Sequence, residues 1–422
     1  MNDQRLNKGK KVLLSAYACS PFRGSEPGNG WSWASNLAMM GYQVWCFTNT
    51  EDRQEILEAK EKLGLNNLHF VFVELPFGLD KKLLDTASKK IYFHYMAWQR
   101  KAAKVAIKLH KEIHFDIAHH VTFGSLQQGS FIWKIAGTKK IFGPVGGGQA
   151  ALPMLKEYFG KWWKTELLRN FFSSISTKFS RNFRNTILKS DYVLVSNSDT
   201  LDMARAVKGS DPEKILFVMD TAVPKVMENI EPVQRIMENK LKLVWVGRML
   251  PRKGLNLVLH ALSYVPAHID YSLTIVGGGE CFPLIDGWIE EYGLNRDRLN
   301  VLGQIPFFEV VDEYKKADVF IFCSLRDSYG AQLTEAMAFG LPVIALNING
   351  VILGVPDDCG IKVTPVSKEQ TVRDIAAAIV KMHDDPVFRL KCAEHTYIHS
   401  KNNTWTKRIT EVTEKFYEGN NR

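Results

Sequence analysis

The order of predicted elements constrains this chain most, because a strand, a glycine-containing loop and a helix occur near the start and again past the middle. The first set is KVLLSAYA (11–18), GSEPGNG (24–30) as the loop and WSWASNLAMMG (31–41) as the helix. The second is LKLVWVGRM (241–249), which runs through a basic loop into the helix GLNLVLHAL (254–262). Alternating strands and helices of this kind form a parallel, doubly wound sheet. We therefore predict an α/β chain with two such halves.

Further apolar segments continue the pattern in both halves. We predict strands at 42–48, 68–75, 115–120, 139–142 and 191–196 in the first half, and at 272–279, 318–324 and 342–346 in the second. The stretch between the halves contains Pro224, Pro232 and many polar residues, which is typical of a linker. The predicted boundaries are a first domain at 1–222, a linker at 223–240, a second domain at 241–403 and an amphipathic final helix in 404–422.

Composition excludes several protein classes. The chain is 45% apolar and 11% aromatic, so it can bury large cores. Its six cysteines are scattered without a CxxC pair, which favours a reducing compartment over a disulfide framework or a zinc site. We find neither a secretory signal nor a run of roughly 18 apolar residues. We therefore predict a cytoplasmic protein, or one that is peripheral at the inner face of the plasma membrane.

The charge of the chain points to an anionic partner, because the formal net charge is +9. Residues 156–189 carry eight Lys or Arg against two acids, with aromatic residues such as Trp162 and Phe171 between them. Such interleaving suits an anionic membrane surface, and it also suits single-stranded nucleic acid or ordinary solvated helices with core aromatics. We predict peripheral membrane contact through 156–189 and no nucleic-acid partner.

The basic loop VGRMLPRKG (246–254) follows a buried strand and precedes a helix. Ligands of parallel sheets meet loop backbone and helix N-termini at this edge. Arg248 and Lys253 would place a planar guanidinium and an ammonium over phosphate oxygens there. The alternative is a solvated basic turn without a ligand.

A second loop, in RDSYGAQLTEAMAFG (326–340), places acids on both sides of a helix start. Gly330 would let a diphosphate approach the free N–H groups of the first turn. Glu335 could accept hydrogen bonds from ribose hydroxyls, and Asp327 from a second polyol. The alternative has Asp327 as the N-cap of the helix and Glu335 on a solvated face.

Three stretches of the first half follow strands and could line a site. HHVTFG (119–124) offers His119 and His120, of which only one easily reaches a cleft because neighbouring strand residues point to opposite faces. Either could instead be a structural histidine bonded to a carbonyl, and no further ligand at metal spacing accompanies them. The glycine-rich loops GSEPGNG and GPVGGG (143–148) fit neither GxGxxG nor GxxxxGK(S/T), which disfavours dehydrogenases and P-loop NTPases. We predict no metal and no cofactor, since DxD is also absent.

These motifs resemble glycosyltransferase family 4, the retaining nucleotide-sugar transferases with two Rossmann-like domains facing across a cleft (the GT-B fold). In the second half, VWVGRMLPRKG, LTIVGGGE, VLGQIP, YKKADVFIFCSLRDSYGAQLTEAMAFGLPVIA and CGIKV stand in the order and spacing of that family. In the first half, AYACSPFRGSEPGNGW, HHVTFG and GPVGGG look like a bacterial branch that builds surface polysaccharides. The resemblance covers nearly the whole chain.

The resemblance implies roles for individual residues. Arg248 and Lys253 match residues that hold the donor diphosphate, beside Gly330, and Glu335 matches the glutamate that binds the ribose. Asp327 falls where the family has a glutamate that contacts the donor sugar, so it reaches about one methylene less far. The catalytic-region histidine corresponds to His119 or His120. The cleft loops would be lined by Gly28, Asn29, Gly146, Gly147 and Gly247.

The resemblance also implies the reaction. A sugar would pass from a nucleotide diphosphate donor, UDP- or GDP-linked, to a glycan or lipid-linked acceptor with retention of configuration. The leaving diphosphate would help to deprotonate the acceptor, and the domains would close on the donor. A nucleotide-sugar epimerase or hydrolase of the same fold is the alternative. A nucleic-acid-binding module is disfavoured, because it leaves the donor-site pattern unexplained.

Overall fold

The computed structural model describes residues 9–84, 90–235 and 238–418. Parts of the predicted domains therefore lie outside the described residues: 1–8 and 85–89 of the first domain, 236–237 of the linker and 419–422 of the final helix.

The described residues form thirteen β-strands. They are β1 Lys11–Ala16, β2 Gln43–Thr48, β3 Leu68–Phe72, β4 Ile117–Thr122, β5 Lys139–Val145, β6 Tyr192–Val195, β7 Ile215–Phe217, β8 Leu241–Val246, β9 Tyr271–Val276, β10 Leu299–Gly303, β11 Val319–Phe322, β12 Val343–Leu346 and β13 Gly360–Val363.

Fifteen α-helices alternate with these strands in the described residues. They are α1 Ser25–Met39, α2 Arg53–Lys62, α3 Leu79–Leu83, α4 Lys90–Ile113, α5 Trp163–Phe179, α6 Arg181–Lys189, α7 Ser198–Arg205, α8 Leu255–Leu262, α9 Ile285–Glu291, α10 Phe307–Lys316, α11 Ala331–Ala338, α12 Gly350–Gly354, α13 Lys368–Asp384, α14 Pro386–Asn402 and α15 Trp405–Val412. A π-helical turn, Thr413–Tyr417, follows α15. None of the helices in the described ranges is long and apolar enough to cross a bilayer.

The strands form two separate parallel sheets. The first has the order β3-β2-β1-β4-β5-β6-β7 and the second the order β10-β9-β8-β11-β12-β13. In both sheets the first strand lies near the centre, the next two strands are added on one side of it, and the remaining strands are added on the other side, as in Rossmann-like sheets. The central strands β4, β11 and β12 are buried on both faces along their whole length, which is why they read as continuous apolar runs. The predicted α/β fold class with two doubly wound sheets is confirmed.

The loop predicted at 24–30 is wrong, because α1 already begins at Ser25. Gly28 and Gly30 lie inside the first turns of the helix, which come very close to the preceding backbone. A Cβ on Gly28 would lie 2.4 Å from the Arg23 carbonyl oxygen, and one on Gly30 only 2.1 Å from that of Ala18. Glycine is needed here for close packing and not for a turn.

The residues group into two compact units. The first consists of Met1–Gly148, Phe172–Thr221 and Trp405–Arg422, and the second of Gln149–Phe171 and Ala222–Thr404. Residues 149–171, which the sequence analysis assigned to the first domain, thus group with the second sheet. The cause is apolar packing, since Leu155 and Phe159 are fully buried in the core that also contains Leu257 of α8.

Candidate active site

The switch point of the second sheet lies between β8 and β11, which pair in parallel. The loops that follow these strands, residues 247–254 and 323–330, contain most of the site residues predicted for this half. A crevice at such a point is where open α/β sheets bind ligands. The topology therefore brings Arg248, Lys253, Asp327 and Gly330 to one edge of one sheet.

Backbone-to-backbone packing fixes the loop after β8. The Gly247 N–H donates to Val276 O at 3.0 Å. Gly254, with φ of 71°, lies so close to the next loop that a Cβ would be 1.9 Å from the Cys323 carbonyl oxygen. Between them, the 3-10 turn Pro251–Lys253 places the Lys253 side chain inward, where it is 7% exposed.

Asp327 is held by the cations of this neighbouring loop. Its carboxylate forms a short ion pair with Lys253 Nζ, and Arg252 Nη1 lies 3.4 Å from Oδ2. Ser324 Oγ also lies 3.4 Å from Oδ2. Burial opposes the ionisation of Asp327, but the charges of Lys253 and Arg252 outweigh it and hold the pKa of the carboxyl below its usual value. Asp327 is therefore an ionised partner of the cations.

Two alternatives from the sequence are wrong. Asp327 is not the N-cap of α11, because Gly330 occupies that position and provides no side-chain cap. The Asp327 carboxylate instead accepts from the Ser328 N–H at 3.1 Å, besides its ion pairs. Nor is 246–254 a solvated basic turn throughout, since Lys253 is buried while Arg248 is exposed.

Arg252, which was not among the predicted site residues, is the third cation of this loop beside Arg248 and Lys253. Burial lowers the pKa of Arg252, Asp327 raises it, and the charges of Arg326 and Arg248 lower it further. The same combination acts on Lys253, where burial lowers the pKa against the pull of Asp327. The adjacent cations in PRK (251–253) were a visible signal for this third member of the group.

Gly330 immediately precedes α11, and Glu335 lies about one turn inside it. The Glu335 carboxylate accepts a hydrogen bond from the Tyr314 hydroxyl at 3.1 Å. Burial raises the pKa of Glu335, although Tyr314 and Lys253 favour its ionised form. Gly330 has φ of 110°, and a Cβ there would lie 2.6 Å from Cζ of Phe322. No side chain of residue 330 therefore stands between the first turn of α11 and a ligand.

In the first unit, Gly28 and Asn29 lie in the first turns of α1, beyond the carboxyl end of β1. Asn29 Nδ2 donates to Asp220 O at 2.7 Å. Glu26, which the sequence analysis did not single out, accepts a short hydrogen bond from the Gly124 N–H after β4. Burial raises the pKa of Glu26, and the Gly124 N–H opposes that effect. The position of an acid between Gly24 and Gly28, in a stretch predicted to line the site, was the signal that could have identified it.

The two histidines of β4 are both fully buried. His119 Nε2 donates to Gly143 O at 2.6 Å, so Nδ1 must accept from the Tyr417 hydroxyl at 2.7 Å. Burial lowers the pKa of His119 to about 4, and the Gly143 carbonyl only partly opposes this. His119 thus has the bonding of a structural histidine.

His120 differs from His119 in one respect. Its Nδ1 lies 3.1 Å from Ser15 Oγ, whereas its buried Nε2 forms no hydrogen bond of normal geometry among the described residues. Burial lowers the pKa of His120 to about 3, although the nearby Phe123 carbonyl acts in the opposite direction. A buried nitrogen without a well-formed hydrogen bond is costly, so His120 is the better candidate for contact with a ligand.

The loop after β5 contains Gly146 and Gly147. The Gly146 N–H donates to Gly124 O at 2.9 Å, which joins this loop to the one after β4. Gly147 has φ of 112° and accepts from Gln127 Nε2 at 2.6 Å. Both glycines therefore lie at the same sheet edge as Glu26 and His120.

The loops 247–254 and 323–330 of the second sheet lie in a region that is similar to a known protein family. Residues 226–398 match the family model of Glycosyl transferases group 1. The matched region contains both loops of the second sheet and the helix with Glu335. The chain is also similar to the GPI3 subunit of phosphatidylinositol N-acetylglucosaminyltransferase from Saccharomyces cerevisiae, at 26% identity over 181 residues, which are 41% of this chain and 38% of that protein. The chain thus spans about two fifths of that relative.

Solved structures match both units. Alr3699/HepE of Anabaena, in complex with UDP, covers 97% of this chain and 100% of its own with a TM-score of 0.60 and 15% identity. WaaG, a glycosyltransferase involved in lipopolysaccharide biosynthesis, covers the same shares with a TM-score of 0.61 and 16% identity. Residues 226–398 of the second unit are therefore similar to glycosyl transferases group 1, and the two sheets have the fold of GT-B glycosyltransferase structures.

Proposed function

We propose that this chain is a retaining glycosyltransferase, which moves one sugar from a UDP- or GDP-linked donor to a glycan or lipid-linked acceptor in polysaccharide biosynthesis. The observation that carries the proposal is the pairing of Arg252 and Lys253 with Asp327 at the switch point of the second sheet, with Arg248 in the same loop. This group lies inside the region that matches the family model.

The cations and the start of α11 bind the donor diphosphate. Lys253 is buried, so water screens its charge little, and Arg248 is exposed and can close over the phosphates. The free N–H groups of the first turn of α11 donate to the diphosphate, which can approach them because Gly330 has no side chain. Glu335 accepts from the ribose hydroxyls, and Asp327 contacts the donor sugar when the diphosphate has taken over Lys253.

The transfer itself needs no side-chain nucleophile. The acceptor oxygen forms a bond to the anomeric carbon on the face from which the diphosphate leaves, and the bond from that carbon to the diphosphate oxygen breaks. The acceptor proton passes to the leaving oxygen. Negative charge accumulates on the diphosphate, where Lys253, Arg252 and Arg248 stabilise it.

The first unit binds the acceptor in this proposal. Glu26 and His120 lie at the carboxyl edge of its sheet, where a hydroxylated acceptor can exchange hydrogen bonds with a carboxylate and a ring nitrogen. UDP in the Alr3699/HepE complex supports a uridine donor for this chain.

A thermal-shift series with UDP, GDP, ADP and their sugar conjugates tests the proposal, because a ligand that binds the native state raises the midpoint of unfolding. We expect a shift with one nucleoside diphosphate and its sugar conjugate. The conjugate alone must then stay intact over the time in which transfer to an added acceptor is complete. Rapid conversion without acceptor would instead identify an epimerase or hydrolase.

A membrane surface is the proposed site of action, because α5 exposes an apolar face. Six large apolar side chains on this helix are 39% to 70% exposed: Leu167, Leu168, Phe171, Phe172, Ile175 and Phe179. At about 100° per residue they lie within an arc of about 140°. Lys164, Lys178, Arg181 and Arg184 are exposed beside or just beyond them. Apolar side chains flanked by cations match an anionic bilayer.

Vesicle flotation tests this surface. We expect the wild type to float with vesicles that contain anionic phospholipid and to stay behind with purely zwitterionic ones. The double variant Leu167→Ser/Phe179→Ser removes two exposed side chains, one near each end of the face, and should lose most of this binding. Equal flotation of variant and wild type would show that α5 is not the contact.

A further inference from the structure

Residues 149–171 are attached to the second unit by specific polar contacts as well as by apolar packing. The Tyr158 hydroxyl lies 2.7 Å from His260 Nδ1 on α8. Glu157 pairs with Lys368 on α13 at 2.7 Å. The segment therefore has a defined place on this unit before it reaches the loops that contain the candidate site.

The third attachment is a bidentate ion pair between Glu166 and Arg326. Arg326 Nε donates to Glu166 Oε2 at 2.7 Å, and Nη2 donates to Oε1 at 3.0 Å. The side chains are only 10% and 13% exposed. Two parallel hydrogen bonds between a planar guanidinium and a carboxylate fix both orientation and distance.

Arg326 immediately precedes Asp327, so this ion pair acts on the loop between β11 and α11. From the other side, Arg252 Nη1 donates to Arg326 O at 3.3 Å and lies 3.4 Å from the Asp327 carboxylate. The loop is thus held by Glu166 at the Arg326 side chain and by Arg252 at the backbone. Without Glu166, the Arg326 guanidinium would be free to turn to Asp327.

We propose that Glu166 is a positioning residue of the donor site, which holds the loop 323–330 in place by keeping Arg326 away from Asp327. The inference rests on the proposed function and adds a residue from a segment outside the region that matches the family model. The proposed donor site then includes a residue from the segment 149–171, which lies far before the second sheet in the sequence. Glu166 itself touches no substrate.

Glu166→Gln tests this role, with Glu157→Gln as the matched control. Both variants remove a carboxylate charge from the same segment, but Glu157 pairs with Lys368, away from the loop. We expect the dissociation constant of UDP and the KM of the donor to rise about tenfold for Glu166→Gln, because a displaced loop misplaces the binding groups. The kcat should change less than twofold, and Glu157→Gln should stay within twofold in all three quantities. Titration calorimetry and initial rates measure them.

The charge-reversed pair Glu166→Arg/Arg326→Glu provides a second variant in case Glu166→Gln does not fold. Restored UDP affinity in the reversed pair supports positioning, since the ion pair is rebuilt with its charges exchanged. No recovery would mean that Arg326 acts on the donor directly, and the proposal would be wrong. Equal UDP binding by wild type and Glu166→Gln would also refute it. If the wild type binds no nucleoside diphosphate at all, the proposed function fails first.

Discussion

Replacing Asp327 by Asn should separate the affinity for a nucleoside diphosphate from the affinity for its sugar conjugate. In the free protein the Asp327 carboxylate is paired with Lys253 and lies 3.4 Å from Arg252. A diphosphate that binds these cations must compete with that carboxylate and tolerate its charge. The Asp327→Asn substitution removes both obstacles while it keeps the size of the side chain.

The magnitude follows from the distance and the exposure. Two like unit charges about 4–5 Å apart repel by about 3–4 kcal/mol at an effective dielectric constant near 20. Asp327 is 18% exposed, so screening reduces this value, and about 1–2 kcal/mol remains. That is a gain of about tenfold in the affinity for UDP. The affinity for the sugar conjugate should not rise, because the loss of the charged hydrogen bond to the sugar costs about 1.5–3 kcal/mol.

Titration calorimetry of wild type, Asp327→Asn and a control measures both ligands at one salt concentration. Asp312→Asn is the control, since Asp312 pairs with Lys315 on an exposed face of α10. The free Asp327→Asn protein should also be less stable by about 3 kcal/mol, because Lys253 remains buried without its carboxylate. Weaker or unchanged binding of UDP by Asp327→Asn would refute the competition argument.

Three further results are expected. Lys253→Met should lower kcat/KM about 10²-fold or more, with an unchanged circular dichroism spectrum, because a charge aimed at the leaving diphosphate is lost. Gly330→Ala should lower the free energy of unfolding by about 1–3 kcal/mol in urea titrations, because φ is 110° and the new Cβ meets Phe322. His119 and His120 have pKa values lowered to about 4 and about 3 from 6.5, so the stability they contribute is present above pH 6.5 and is lost as the pH falls towards those values. Urea titrations at pH 7.5 and 5.0 should show that loss, at about 2 kcal/mol for each histidine.

Ten of the thirteen described strands were predicted from the sequence, because strands buried on both faces are apolar throughout, whereas β7, β10 and β13 were missed. Stretches such as 318–324 and 342–346 therefore read as continuous apolar runs, and β11 and β12 lie inside them. The edge at which the cations and acids meet also followed, because the carboxyl ends of parallel strands lie together. The local sequence pattern was sufficient to predict features that depend only on one strand and the loop that follows it.

Contacts between distant parts of the chain could not be predicted in this way. The glycines at 24–30 are typical of a loop, but α1 already begins at Ser25. Gly30 is needed there because the helix packs closely against the Ala18 carbonyl, a contact that the local pattern does not reveal. Leu155 and Phe159 are apolar in either unit, so their burial beside α8 leaves no trace in the local pattern. The resemblance implied that Asp327 contacts a sugar, but the partner it has in the free protein depends on a side chain in another loop.

The charges at the edge of the second sheet explain why acids stand beside the proposed diphosphate site. Arg248, Arg252, Lys253 and Arg326 would repel one another if they were alone, and the charges of Arg326 and Arg248 lower the pKa of Arg252. Asp327 and Glu166 each neutralise part of this charge and so keep the loops folded before the donor arrives. The two acids should nevertheless act with opposite sign on the donor. Asp327 competes for the cation that the diphosphate needs, so its removal tightens UDP binding. Glu166 holds a cation that would otherwise displace the loop, so its removal weakens UDP binding. If both substitutions changed the affinity for UDP in the same direction, this account of the charges would be wrong.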